Sequence, residues 1–249
     1  MKNPVQSLYH LLNSWTPDSK KFTSAVIVAG GSSTRMGGTS KQQIVIDGKS
    51  VIVHTLLAFE KCEKIDEIVL VSSEKELPIY NEEFKTRYGL SKLKKVVLGG
   101  ISRADSAECG FQAVSDKADF VAIHDGARCL ITPEDIEKVV RSAYKTGASI
   151  AAIPSVDTLK KVGKDGRIVG TVNRQTVWQA QTPQVFMKKL YLIALKKAAK
   201  KKTTYTDDAM MVEAAGFYVY CAETSRNNIK ITVPEDVETV SGILKGRLK

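Results

Sequence analysis

The sequence predicts an α/β fold, a largely parallel sheet flanked by helices with a β-hairpin arm protruding from it. Three observations carry that expectation. From Thr23 onward, short apolar runs alternate with longer amphipathic stretches, the pattern of strands joined by crossover helices. Two of the apolar runs end in glycine pairs, Gly30-Gly31 and Gly99-Gly100, as buried strands entering tight loops do. One stretch, Leu159–Arg174, instead alternates apolar and polar residues about Asp165-Gly166, a strong hairpin signal.

In chain order, strands are expected at Ala25–Ala29, Ile68–Val71, Lys95–Leu98, Phe120–Ile123 and Ser149–Ile153. Helices are expected at Ser50–Lys61, Ser102–Ala113, Pro133–Lys145 and Lys188–Lys200. Thr132 before Pro133, Glu134 and Asp135 is a good helix start, with a hydroxyl cap, a preset φ and early acidic residues. Residues 1–22 form an N-terminal extension, in which Leu8, Leu11, Leu12 and Trp15 fall at helical spacing. Residues 23–249 form one domain, with the arm at about 159–174. A hairpin that leaves the main sheet needs a surface to cover, and a second subunit is the usual one.

Composition excludes several classes. With 43% hydrophobic and 26% charged residues in 249, the chain has the make-up of a globular domain with a sizeable core. No apolar run approaches the roughly 18 residues of a membrane span, and the N-terminus lacks a signal-peptide core. The four cysteines are scattered with no Cys-x-x-Cys, so free thiols and a cytoplasmic location are expected. The net charge of +10 raises nucleic acid as a partner. Its densest run, Lys196–Lys202, ends a helical pattern and carries no interleaved aromatics, so neither nucleic acid nor membrane is expected.

The stretch Val26–Gln43 is the most informative. Ala29, Gly30 and Gly31 lead into Ser32, Ser33, Thr34, Arg35 and, further on, Lys41. Glycines let backbone N–H groups approach an anion, and Arg35 and Lys41 add fixed positive charge. The loop matches neither the P-loop nor the dinucleotide fingerprint. A phosphate-binding loop and an ordinary glycine-rich turn with solvated basic residues both remain open from these residues alone. Elsewhere, Gly100, Arg103 and Ser106 enter a helix, and His124-Asp125-Gly126-Ala127-Arg128 ends a strand. A strand-end carboxylate such as Asp125 suits magnesium, which takes one or two carboxylates plus phosphate oxygens. His124 is read as a satisfied strand-end histidine rather than a base. The cations Arg35, Lys41, Arg103, Arg128 and Lys230 together form a set able to neutralise a triphosphate and a second phosphorylated substrate.

The stretches AGGSSTRM, KQQ, GGISRADS, IHDGAR, VDTLKK, TVNRQTVWQAQTPQ, YTDDAM and NNIKITVPED follow one another from Ala29 to Asp236. In this combination the chain resembles the 2-C-methyl-D-erythritol 4-phosphate cytidylyltransferases of non-mevalonate isoprenoid precursor synthesis. The resemblance covers nearly all the chain after the first 22 residues. It implies a Rossmann-like nucleotidyltransferase fold, CTP and methylerythritol phosphate as substrates, Mg2+ as cofactor, and a homodimer joined through the arm. It also implies roles. Arg35 and Lys41 match the pair that holds the triphosphate and stabilises the transition state, and Lys230 matches a lysine beside the α-phosphate. Ala29, Gly30, Gly31, Gly100 and Ser106 match the loops around cytosine and ribose, with Arg103 nearby. Asp125 matches the metal ligand. Arg128, Thr158 and Arg174 match residues that contact methylerythritol phosphate, the last two from the neighbouring subunit's arm.

Two departures bear on chemistry. Cys129 stands where proline usually follows the HD-x-AR motif, and Asn227 stands where some members carry an acidic residue, which leaves Asp125 as the one matched carboxylate. The nearest rival is ribitol-5-phosphate cytidylyltransferase, whose members often read HDSVR at His124–Arg128. A non-catalytic nucleotide sensor is the rival of a different class.

Overall fold

The computed structural model of the chain describes residues 20–30, 40–201 and 203–247. The helical spacing at Leu8–Trp15 therefore lies outside the described residues, as do Gly31 and Arg35. In chain order, β1 (Thr23–Val28) leads to a short ribbon, β2 (Val45–Ile46) and β3 (Lys49–Ser50), then α1 (Val51–Lys61) and β4 (Glu67–Ser72). Next come α2 (Glu82–Tyr88), β5 (Leu93–Leu98), α3 (Arg103–Ala113), β6 (Phe120–Asp125), α4 (Pro133–Thr146) and β7 (Ala148–Pro154). The arm is β8 (Lys160–Val162) and β9 (Ile168–Thr171). The chain then returns through β10 (Trp178–Met187), α5 (Lys188–Ala198), α6 (Asp208–Ala214), β11 (Tyr220–Glu223) and α7 (Pro234–Arg247).

Seven strands form one sheet in the order β11-β7-β10-β6-β1-β4-β5. Every residue of β1, β4 and β6 is buried, which is why these runs read as continuous apolar stretches. All neighbouring pairs are parallel except those of β10, which runs antiparallel to both β6 and β7. The reason is connectivity. No α-helix intervenes between β7 and β10, only the arm and a single 3-10 turn at Arg174–Thr176, so the chain comes back beside the strand it left. The arm thus springs from the end of β7 at Pro154, the same edge at which β6 ends.

The predicted helix starts hold. Thr132 caps α4 by accepting from the Asp135 N–H, and the helix stops at Gly147 with φ +86°. Ser102 and Asp105 form a capping box on α3. The expected strands are found, shifted by one or two residues at their ends. The sequence pattern does not predict β10, β11, the β2–β3 ribbon, α2, α6 or α7. β10 carries Gln181, Thr182 and Gln184 in a buried stretch, and a polar strand of this kind escapes an apolar-run criterion.

The main core packs around the sheet. A second, smaller cluster joins Ile46, Val51, Ala127, Cys129, Leu130, Ile231 and Val240. It lies behind the loop after β6, where Ile231 N donates to Ala127 O at 2.9 Å and ties that loop to the segment before α7. Cys129, where proline is usual, is buried in this cluster.

Candidate active site

The sheet reverses its order at β1. β4 and β5 are added on one side of it, and the chain then crosses to place β6 on the other. Ligands on such sheets bind outside the carboxyl ends of the strands at this switch point. Val28 and Asp125 are register partners there, so the first glycine loop and the strand-end carboxylate leave the sheet side by side.

The two glycine loops meet over the end of β4. Ala29 N donates to Val71 O at 2.8 Å and Gly99 N to Ser72 O at 2.9 Å. A Cβ on Gly30 would lie 3.6 Å from the Gly99 Cα, so the two backbones approach closely. A Cβ on Gly100 would lie 2.3 Å from the Asp105 Cβ, and only glycine fits that turn. Ser106 is buried and accepts from the Gly100 N–H at 3.1 Å, so it shapes this loop from beneath. Lys41 lies half-buried in the turn before β2.

Asp125 is the centre of the charged floor. Its Oδ1 accepts from Arg103 Nε at 2.8 Å and its Oδ2 from Lys230 Nζ at 2.8 Å. Arg128 Nε stands 3.7 Å from Oδ2. Burial pushes the Asp125 carboxyl up, but Arg103 and Lys230 together overcome that and hold it well below the usual carboxylate range. Burial lowers the Arg128 guanidinium from its ordinary value, with Asp125 opposing. Arg128 is further fixed by donating to Asn228 O at 2.8 Å. The structure therefore brings Arg103, Asp125, Arg128 and Lys230 into one cluster, as the sequence predicts.

Beneath the cluster lies a hydrogen-bonded chain of fixed polarity. His124 is fully buried, and burial pushes its imidazole down to about 3, against the pull of Asp125. It is neutral near pH 7 and carries one ring proton. Nε2 faces the Arg128 carbonyl at 3.3 Å and must donate, so Nδ1 accepts from the Thr182 hydroxyl at 3.0 Å. Thr182 in turn accepts from the Asp125 N–H at 3.1 Å. Both ring nitrogens are engaged within the fold, so His124 is the satisfied strand-end histidine the sequence predicts.

Sequence reasoning missed several residues that this floor depends on. Gln181 and Asn228 are bonded at 2.9 Å, and Asn228 also donates to Thr182 O at 2.8 Å. Asp208 accepts from Arg103 Nη1 at 2.8 Å and from the Tyr191 hydroxyl at 2.6 Å. The available signal was polarity itself: WQAQTPQ and YTDDAM place amides and carboxylates where a plain core would be apolar.

Thr158 and Arg174 lie apart from the cluster. Both are exposed at the base of the arm, where Arg174 Nη1 donates to Val156 O at 2.8 Å. Among the described residues, no group of three or more His, Cys, Asp or Glu side chains is placed to hold a metal ion. Asn227 is exposed and supplies no carboxylate. The donor set is one strand-end carboxylate, which fits a magnesium ion held mainly by phosphate oxygens and water.

Cations gathered about a single carboxylate at the switch point of a doubly wound sheet define a nucleotidyltransferase-type site, suited to moving a phosphoryl-linked group between anions. A family model described as 2-C-methyl-D-erythritol 4-phosphate cytidylyltransferase matches residues 23–246, and the chain belongs to that family. A relative of that name from Syntrophus aciditrophicus is 40% identical over 222 residues, covering 89% of this chain and 95% of its own. One from Alkaliphilus metalliredigens is 41% identical over 223 residues, covering 89% and 92%. Among solved structures, a 4-diphosphocytidyl-2C-methyl-D-erythritol synthase from Anaerococcus prevotii superposes with a TM-score of 0.81 at 30% identity. That superposition covers 91% of this chain and 97% of the other.

Proposed function

We propose that this chain transfers the cytidylyl group of CTP to 2-C-methyl-D-erythritol 4-phosphate, giving 4-diphosphocytidyl-2-C-methyl-D-erythritol and pyrophosphate. The observation that carries the reading is the cation cluster on Asp125 beside two glycine loops, in a chain of this family. A phosphate oxygen of the polyol phosphate attacks the α-phosphorus of CTP. The new P–O bond forms as the bond to the β-phosphate oxygen breaks, and pyrophosphate leaves with that electron pair. The attacking phosphate is already anionic, so no general base is needed, and neutral His124, locked at both nitrogens, is not offered as one.

The obstacle is bringing anions together, and the chain meets it with charge. Arg35, Lys41 and Lys230 hold the triphosphate and stabilise the charge that develops in the transition state. Lys230 reaches a phosphate oxygen by leaving Asp125 Oδ2. Ala29, Gly30, Gly31 and Gly100 present backbone to the nucleotide, with Ser106 and Arg103 behind them. Arg128, Thr158 and Arg174 receive the polyol phosphate, the last two from the arm of a second copy in a homodimer. Asp125 would hold Mg2+, which when bound offsets charge on the phosphates. No helix among the described residues is long and apolar enough to cross a membrane, and all four cysteines are free, in keeping with work in the cytoplasm.

The test is turnover of CTP with each purified polyol phosphate in magnesium buffer. Pyrophosphate release with methylerythritol phosphate is expected at far higher kcat/KM than with ribitol 5-phosphate. Preference for ribitol 5-phosphate moves the chain to the rival substrate, and no release with either sinks the transferase reading.

A further inference from the structure

Asp208 has no part in the scheme above, yet it is among the most deliberately tethered side chains in the molecule. Its backbone is set by the start of α6. Gln184, buried on β10, accepts from the Ala209 N–H at 2.9 Å and donates to Asp207 at 2.9 Å, and Asp207 caps the helix by accepting from Met210 N. Its side chain is then held at both oxygens. Tyr191, on α5 and fully buried, donates to Oδ1 at 2.6 Å, and Arg103 Nη1 donates to Oδ2 at 2.8 Å. Three separate elements, β10, α5 and α6, thus cooperate to aim one buried carboxylate at one guanidinium.

The guanidinium is the link to the site. Arg103 points its Nε at Asp125 Oδ1 while Nη1 is on Asp208, so one planar cation bridges two buried carboxylates. A planar fork held at two of its nitrogens has its plane and its reach fixed, which a single contact would not achieve. Burying a carboxylate costs several kcal/mol unless it is paired and hydrogen-bonded, so Asp208 is not a neutral filler of space. A plain helix-capping role does not explain it, because Asp207 already caps α6.

We propose that Asp208 is a positioning residue that, braced by Tyr191, fixes Arg103 against Asp125 and so sets the orientation of the charged floor. The kinetic part of this proposal rests on the cytidylyl-transfer reading. The structural part does not.

The experiment compares wild type with Tyr191→Phe, Asp208→Asn, Arg103→Met and the Asp208→Asn/Arg103→Met pair. Tyr191→Phe removes one oxygen and keeps the ring, so it remains informative if Asp208→Asn fails to fold. Two quantities are read on folded protein: kcat/KM for CTP, and hydrogen exchange of the Arg103 Nε–H followed by 15N NMR. Tyr191→Phe and Asp208→Asn are each expected to speed that exchange about tenfold or more and to lower kcat/KM by roughly tenfold, the size seen when an outer partner of a functional group is lost. Asp208→Asn in the Arg103→Met background is expected to lower kcat/KM no further, because a residue acting through another shows strong non-additivity with it. Unchanged exchange in Tyr191→Phe, or an Asp208→Asn effect of equal size with and without Arg103, overturns the proposal. If wild type releases no pyrophosphate, the function reading falls, while the exchange measurement still decides whether Tyr191 and Asp208 hold Arg103.

Discussion

Asp125 and the arm face the same edge of the sheet, yet they are held in opposite ways. Around Asp125 the side chains are buried (His124, Thr182) or half-buried (Arg103, Lys230), and the four are joined to it or to one another by bonds of 2.8–3.1 Å. On the arm, Val162, Ile168 and Val169 are 57–60% exposed, and β8 pairs only with β9, outside the main sheet. A two-stranded ribbon is marginal alone in water, and exposed aliphatic residues along it add nothing to its stability as it stands. The comparison teaches where each part of the site gets its order. The bonds that order the floor are made by residues of one chain. The arm carries Thr158 and Arg174 on a scaffold that the described residues of its own chain leave exposed.

The comparison breaks most visibly at Asp125. Asp125→Asn keeps the shape and leaves Arg103, Arg128 and Lys230 facing one another without their shared anion. Breaking a buried ion pair by removing one partner costs about 3 kcal/mol or more, so a marked fall in Tm is expected. CTP, which supplies anions to the same cations, should recover part of that loss. Turnover should slow and need more magnesium. An Asp125→Asn protein with wild-type Tm and unchanged magnesium dependence would mean the floor is not organised around this carboxylate.

The arm should respond to a different variable, the presence of a second copy. Arg174→Ala removes a charged contact to a phosphate, worth about tenfold or more in affinity, and should raise KM for methylerythritol phosphate while leaving that for CTP near wild type. Lys41→Ala should instead lower kcat by about a hundredfold, as loss of one preorganised stabiliser does. Mixing the two mutants after subunit exchange should restore activity, because one of the two shared sites then has both residues intact. An active monomer at assay dilution, or no rescue after proven exchange, would place the whole site in one chain.

The same contrast decides what was legible in the sequence. Gly30, Gly100 and the grouping of Asp125 with Arg103, Arg128 and Lys230 are legible because several glycine loops and strand-end charges recur together along one chain, although each alone has an ordinary reading. The arm is legible because Asp165-Gly166 sits at the centre of its alternation, and Gly166 indeed has φ +81°. The support of the floor is not legible in the same way. Gln181, Thr182, Gln184, Tyr191 and Asp208 lie on β10, α5 and α6, far along the chain from Asp125, and act through pairs that only folding brings together. A buried amide in the sequence looks like a surface amide. Only its partner distinguishes them, and an apolar-run criterion therefore does not find β10.

His124 offers the smallest test and the sharpest view of the floor's rigidity. In the unfolded chain its imidazole takes a proton near its ordinary value of about 6.5, whereas burial in the fold holds it down to about 3. Between those values the unfolded state binds a proton that the native state refuses, so stability is full above pH 6.5 and falls as pH drops toward 3. The slope from this one group is at most about 1.4 kcal/mol per pH unit. Asp125 is held below its usual range, so its own contribution begins to be lost only below about pH 5 and does not enter the window between pH 6.5 and about 5. Urea unfolding across that window should show the midpoint falling with pH in wild type. A His124→Gln protein, less stable throughout, should show a flatter dependence because its amide does not titrate. Equal slopes in the two proteins would mean that the imidazole accepts a proton within the fold, and that the chain from Asp125 through Thr182 to Arg128 is not locked.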